Sequence, residues 1–346
     1  MKNIRDFDVE NKKVLVRCDF NVPLDDDGKI SDDFRIQKSL STIRHLVSKK
    51  AKIILMSHLG DPDGNRVAML KLDKVRDRLS ELLGASVARA DDCIGPEVKK
   101  QISQLKQGDV LLLENLRFHK EEQENNLEFA KELSELGEIY INDAFSDSHR
   151  THASIVGIPQ YLPHGMGLLL EKEVKNLGKI LGDPEKPIVV LVGGVKVATK
   201  SAFIDKISNI ADTILVSGLI QKEILDKKIQ FTHPEKIMGP QDNLDEQDIS
   251  GATIAIFKEK ISAAKTVVWN GPFGKFEENE YKKGTLAIAK AIIESGAFSV
   301  VGGGETIEFL RQEGMLDKFS HVSTGGGAML DYLSDGQLPG LDALSN

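Results

Sequence analysis

Cysteine is scarce in this chain: only Cys18 and Cys93 occur among 346 residues. That excludes a disulfide framework and points to a reducing compartment. Neither thiol has a ligand histidine near it in sequence, so a zinc site is not expected. Long apolar runs are also missing. None reaches the ~18 residues of a membrane helix. The opening Met1-Lys2-Asn3-Ile4-Arg5-Asp6 has charges but no apolar core behind them, so no signal peptide is expected. Positive charge is not in excess. Lysine and arginine number 45 against 53 acids, a net charge of −8. That argues against nucleic acid or an anionic membrane as partner. The G-x-x-x-x-G-K-[ST] spacing of a P-loop is absent. So is a G-x-G-x-x-G after a first strand with an acid beyond it, which argues against a dinucleotide-dependent dehydrogenase. The expectation is a cytoplasmic protein.

The chain is long enough for two domains, and 40% apolar residues can fill two cores. Short β-branched runs alternate with amphipathic stretches. Strands are expected at 14–17, 52–56, 86–88, 110–114 and 138–141, then at 188–192, 213–216, 266–269, 299–301 and 321–323. Helical periodicity covers 35–49, 70–83, 126–136, 201–210, 284–295 and 307–313. This alternation implies parallel sheets covered on both faces. A helix over 168–181, closed by Gly182-Asp183-Pro184, reads as the connector. Residues 226–250 are polar and poorly periodic, a loop with at most a short strand at 228–231.

Polar motifs follow the strands, where open α/β sheets bind ligands. In the first half these are Asp19 and Asn21, His58, Arg117, and His149 with Arg150; Arg35 adds a further cation. A guanidinium fork suits carboxylate or phosphate oxygens, and Asp19 and Asn21 suit the hydroxyls of a small acid. The second half carries Gly193-Gly194-Val195-Lys196 with Lys200, Asn270-Gly271-Pro272 with Glu277, Gly302-Gly303-Gly304-Glu305-Thr306, and Gly325-Gly326-Gly327. Glycine amides at helix starts cradle phosphates. Lys196 and Lys200 lie one helical turn apart on one face. Glu277 suits ribose hydroxyls, and Glu305 suits Mg²⁺. One half thus reads as a site for a small charged acid, the other as a site for a nucleotide.

Together the motifs closely resemble those of the phosphoglycerate kinase family. The resemblance rests on 14–23, Ser57-His58-Leu59-Gly60, 112–119, 142–154, 193–200, 269–276, 302–306, 321–327 and the tail 338–346, in the family's order. It implies two Rossmann-like α/β domains with mostly parallel sheets, hinged around a cleft. Residues 1–166 would bind 3-phosphoglycerate, 167–183 would link, 184–330 would bind nucleotide, and 331–346 would return to the first domain. The resemblance assigns Asp19, Asn21, Arg35, His58, Arg117 and Arg150 to the acid. It assigns Gly194, Lys200, Asn270, Pro272, Glu277, Gly303, Gly304, Glu305 and Thr306 to the nucleotide, with Glu305 on Mg²⁺. Arg35, Lys196, Lys200 and Gly326 would stabilise the transferred phosphoryl group. The implied reaction exchanges phosphate between 1,3-bisphosphoglycerate and ADP, giving 3-phosphoglycerate and ATP in glycolysis and gluconeogenesis, in a monomer with Mg²⁺.

The chain departs from the family at several points. Asp61 stands where members usually have Arg, Glu305 where they usually have Asp, and Thr199 where many have Asp. A loss of several dozen residues falls within 226–250. The family has a further helix and strand there, then a glycine turn helping to enclose the base. The preceding glycine-rich turn is altered to Val216-Ser217-Gly218-Leu219-Ile220. The expected consequences are a strand at 213–216 nearer an exposed edge and broader base selectivity.

Overall fold

The structure is a computed structural model. It describes every residue except 195–196, 243, 245–246 and 346, and the side chains of 197–199 also fall outside the description. The chain divides into two compact units, Met1–Val174 with Gln337–Asn346, and Lys175–Gly336.

Each unit is built on a six-stranded parallel sheet. In the first, the strands are β1 (Lys13–Arg17), β2 (Lys52–Met56), β3 (Val87–Arg89), β4 (Val110–Leu112), β5 (Ile139–Asn142) and β6 (His164–Met166), in the order β3-β4-β2-β1-β5-β6. In the second they are β7 (Ile188–Val192), β8 (Thr213–Val216), β9 (Ile237–Met238), β10 (Thr266–Asn270), β11 (Phe298–Gly302) and β12 (His321–Val322), in the order β12-β11-β10-β7-β8-β9. The two α/β units have the fold class expected from the alternating pattern.

Central strands are apolar because helices cover both faces of each sheet. All five residues of β7 are buried. Valine and isoleucine fit such a pleated, doubly packed surface. In each sheet the strand order reverses beside the first strand. The chain winds outward one way from β1 through β2, and the other way from β5. It does the same from β7 through β8 and from β10. Such a reversal opens a crevice at the carboxyl ends of the two central strands. The crevices lie after β1 and β5, and after β7 and β10.

The segment 226–250 is not wholly a loop. A helix, Gly218–Asp226, precedes it, and Pro234–Lys236 makes a 3₁₀ turn before β9. No strand forms at 228–231. Lys228 follows the helix with a φ of 49°, a left-handed turn that takes the chain out of extended geometry. β9 pairs with β8 through Ile214↔Ile237 and Leu215↔Met238. It leaves β8 one strand from the edge, behind a two-residue strand of the kind that blunts edge pairing. β6 was not foreseen either. Its three residues, His164–Met166, carry a glycine and no β-branched side chain.

The tail after Gly336 belongs to the first unit. Leu338, Leu341 and Leu344 are buried, and the Gly340 N–H donates to the Ser148 carbonyl at 2.8 Å. A side chain at Gly340 would press on Ile155 and Ser148.

Candidate active site

In the first unit, the turn after β1 holds Asp19. Its Oδ1 accepts from the Asn21 N–H at 2.9 Å, the short-range bond that makes Asp a turn former. Its Oδ2 pairs with Arg35 Nη1 at 2.7 Å and accepts from the Ser146 hydroxyl. Asn21 Oδ1 accepts from the Gly60 N–H at 2.9 Å, which ties the β1 turn to the β2 turn. Arg35 sits in the first turn of the helix Phe34–Ser48. Asp19 raises its pKa, so its charge is secure.

Behind this pair lies a buried ionic layer. Arg17 ends β1 and is fully buried. It donates to Ser154 Oγ at 2.8 Å and to the Cys18 carbonyl, and its Nη2 lies 3.1 Å from Asp147 Oδ2. The same nitrogen lies 3.2 Å from His58 Nδ1. Burial, then Arg17 and Arg117, hold the His58 pKa well below its usual value. The ring is therefore neutral, with Nδ1 accepting from Arg17 and the proton on Nε2. His152 is pushed down to about 4 by burial and by the charges of Arg117 and Arg17.

Arg117 donates from Nη1 to the Gly60 carbonyl at 2.9 Å and faces Asp61 Oδ1 at 3.5 Å. Its Nε is buried without a hydrogen-bond partner. Asp61 is 71% exposed and also accepts from Gln123 at 3.1 Å. Arg150 stands at the rim, 45% exposed, its Nε 4.0 Å from Asp147 Oδ1. Asp19, Asn21, Arg35, His58, Arg117 and Arg150 thus share one neighbourhood, with Arg150 loosely attached. Sequence reasoning missed Arg17, Asp147 and Ser154, which anchor it. The available signal was a charged residue closing the apolar run Val14-Leu15-Val16.

Asp92, Cys93 and His119 form a separate group whose ligand atoms lie within 4.8 Å of one another. The sequence did not bring His119 to Cys93. The Asp92 carboxylate there is already engaged by Arg66, by His119 at 2.6 Å and by the Cys93 N–H at 2.8 Å.

In the second unit, two glycine turns meet at the crevice after β7 and β10. The Gly193 N–H donates to the Asn270 carbonyl at 2.9 Å, and the Gly194 N–H to the Pro272 carbonyl at 2.8 Å. A Cβ at Gly193 would overlap the Pro272 carbonyl, and one at Gly271 would overlap Gly193. Only glycine lets the two backbones approach this closely. The buried Trp269 fixes the turn by donating from its indole to the Gly271 carbonyl at 2.8 Å. Thr306 Oγ accepts from the Gly271 N–H at 2.9 Å, so this hydroxyl holds the turn.

The helices Gly304–Gln312 and Gly326–Asp335 begin beside these turns. Their first N–H groups and dipoles favour an anion. They border a cavity of about 390 Å³ lined by Lys200, Asn270, Gly303, Gly304, Glu305, Thr306 and Gly326. Lys200 is nine-tenths buried and donates to the Gly193 carbonyl. A second cavity, of about 420 Å³, is lined by Gly194, Ser217, Leu219, Pro272, Phe273, Glu277 and Glu305. Leu219 on its wall is 48% exposed. Glu305 borders both cavities, whereas Glu277 borders only the second. Lys196 lies outside the described residues. Glu305 is the only carboxylate among the described residues lining the first cavity. One carboxylate beside helix starts that favour an anion is a donor set that could serve Mg²⁺, whose other ligands are commonly phosphates and water.

Comparison with known proteins bears on both units. The family model for phosphoglycerate kinase matches residues 4–232 and 222–336. Phosphoglycerate kinase of Dictyoglomus turgidum is 42% identical over 390 aligned positions, covering 99% of this chain and 98% of the relative. That of Pelotomaculum thermopropionicum is 39% identical, with the same coverage. The crystal structure of phosphoglycerate kinase from Pyrococcus horikoshii OT3 superposes with a TM-score of 0.90 at 32% identity, covering 100% of this chain and 98% of that one. An alignment of 390 positions exceeds 346 residues by 44, so at least 44 positions of the first relative have no counterpart here. The family model breaks at 222–232, beside the polar segment read as shortened. The chain is a member of the phosphoglycerate kinase family.

Proposed function

We propose that the chain transfers a phosphoryl group reversibly between 1,3-bisphosphoglycerate and ADP, giving 3-phosphoglycerate and ATP. The first unit holds the acid and the second holds the nucleotide. One observation carries the acid assignment: Arg35, Arg117 and Arg150 gather with Arg17 around the turns after the first unit's strands, and the buried Nε of Arg117 has no hydrogen-bond partner. A small polyanion would supply that missing partner.

The acceptor is a carboxylate, ionised at neutral pH, so no general base is needed. The neutral His58 and His152 fit that requirement, since neither is poised to take a proton. The obstacle is repulsion between two polyanions. Catalysis is positioning and charge stabilisation. Arg35 serves from the acid side, and Lys200 with the amides near Gly326 serves from the nucleotide side; Lys196 is assigned to the same task. Asp19, Asn21, His58, Arg117 and Arg150 bind the acid. Gly194, Asn270, Pro272, Gly303, Gly304, Glu305 and Thr306 surround the nucleotide, with Glu277 at its ribose.

Glu305 would hold Mg²⁺, which when bound neutralises phosphate oxygens. Hinge closure of the two units belongs to this reading, because reacting atoms must come within about 3–3.5 Å. So does a cytoplasmic monomer with no nucleic-acid or membrane partner; among the described residues no helix is long and apolar enough to cross a membrane. The half-exposed Leu219 favours broad base selectivity. A coupled assay with 3-phosphoglycerate and Mg-ATP is expected to show turnover. Its absence with purified, folded protein would overturn the reading.

A further inference from the structure

Ser217 occupies the N-cap position of the nine-residue helix Gly218–Asp226, with φ −71° and ψ 166°. A serine in that position ordinarily accepts from an N–H of the first turn. Here the side chain makes no capping bond. Its Oγ is buried without any hydrogen-bond partner, and the residue is 4% exposed. A buried hydroxyl left unsatisfied costs about 1–3 kcal/mol. Ser217 also lines the 420 Å³ cavity, beside Leu219, Phe273 and Pro272. The carboxylate of Asp248 at the same cavity is already committed, accepting from the Ile249 N–H at 2.9 Å and the Gly284 N–H at 2.8 Å.

We infer that the Ser217 hydroxyl is the group that reads the polar edge of the nucleotide base. The inference rests on the reading of this cavity as the nucleoside site. Leu219, Phe273 and Pro272 give the faces of a base apolar cover without chemical discrimination; of the other polar side chains at the cavity, Lys275 is paired with Glu278, Gln247 is exposed, and Glu277 and Glu305 are assigned to the ribose and Mg²⁺. Ser217 adds one hydrogen bond. A hydroxyl both donates and accepts and rotates to suit its partner. It therefore accepts from the 6-amino group of adenine or donates to the 6-oxo group of guanine. Its choice is between a base with a polar 6-substituent and one without, rather than between ATP and GTP. This gives the breadth expected of the shortened segment a specific atom.

The test compares dissociation constants, by calorimetry, of ATP, GTP and purine riboside triphosphate, which lacks the 6-substituent. The unaltered chain should bind ATP and GTP within a fewfold of each other. It should bind purine riboside triphosphate about fivefold more weakly, the worth of one neutral hydrogen bond. In Ser217→Ala that gap should close, through weaker ATP and GTP binding with purine riboside triphosphate unchanged. Ser217→Gly should behave likewise, since glycine is tolerated at an N-cap. A purely structural role would weaken all three ligands equally, leave the gap intact and overturn the inference. A large ATP-over-GTP preference that survives Ser217→Ala would also overturn it. Failure of the unaltered chain to bind any of the three overturns the nucleotide reading itself, and the inference with it.

Discussion

Around Asp19 and Asp147 the first unit sets guanidinium groups against buried carboxylates, whereas around Gly303 and Gly326 the second sets peptide N–H groups and, among the described residues, one lysine. The two solutions bring different obligations. Full charges need counter-charges before any substrate arrives. The first unit accordingly carries Arg17–Asp147 and Arg35–Asp19 as internal pairs, and a histidine held neutral. Peptide dipoles need no counter-ion and do not titrate. What they need is close packing of backbones, which the abutting turns at Gly193 and Gly271 provide. One site is thus vulnerable to changes of charge and the other to changes of shape.

The largest effect should come from removing a charge. Arg35→Ala is expected to lower kcat by about 10²–10³-fold, the usual worth of a group stabilising transferred charge, with the KM for ATP little changed. A loss below tenfold would move the work of charge stabilisation to the second unit. Next comes a change of shape. A Cβ at Gly326 would lie 2.9 Å from the Gly303 Cα, so Gly326→Ala must push two helix starts apart. The KM for ATP should rise about ten- to a hundredfold, and that for 3-phosphoglycerate should stay within about twofold. Equal effects on both substrates would erase the distinction between the sites.

A third experiment probes the support of the first unit's site. Asp143 is fully buried after β5, and its Oδ1 accepts from the Leu169 N–H at 3.0 Å. Burial pushes its pKa from 3.8 up to about 7, against the opposing help of Thr42 and the Leu169 and Leu170 N–H groups. The folded state therefore binds this proton more tightly than the unfolded chain. The linked stability is complete below about pH 3.8 and is lost as pH rises through about 7. Asp143→Asn keeps the accepting oxygen and cannot ionise. It should melt about 5 °C or more above the parent at pH 8, with the gap closing toward pH 4. A constant gap would assign the effect to packing. The smallest change is Asp61→Asn. Asp61 faces the buried Arg117 from solvent, 71% exposed and at 3.5 Å, so water screens the pair, and its loss should lower the KM for 3-phosphoglycerate by about two- to threefold. No change would show that Arg117 is already fully available.

The strand-ends were legible because each combines an apolar run with a polar turn, a pattern local in sequence. Asp19, His58, Asn270 and Glu305 could be placed by that pattern alone. Partnerships between distant segments were not legible. Nothing local shows that Arg17 meets Ser154, 137 residues away, or that His119 reaches Asp92. The misplaced strand has a similar cause. The 228–231 run looks extended, but Lys228 takes a left-handed turn, and pairing with β8 is supplied by Ile237 and Met238 instead. Ser217 was visible as an altered residue. Only the structure shows that its hydroxyl caps nothing.

The tail that packs Leu338, Leu341 and Leu344 into the first unit has a consequence for biosynthesis. The second unit is one continuous stretch, Lys175–Gly336, while the first is completed only by Gln337–Asn346. On the ribosome, where domains fold in the order they emerge, the first unit starts before the second yet is completed after it. Until Gly340 reaches Ser148, a nascent chain has the second unit whole and the first still without the buried leucines of its tail.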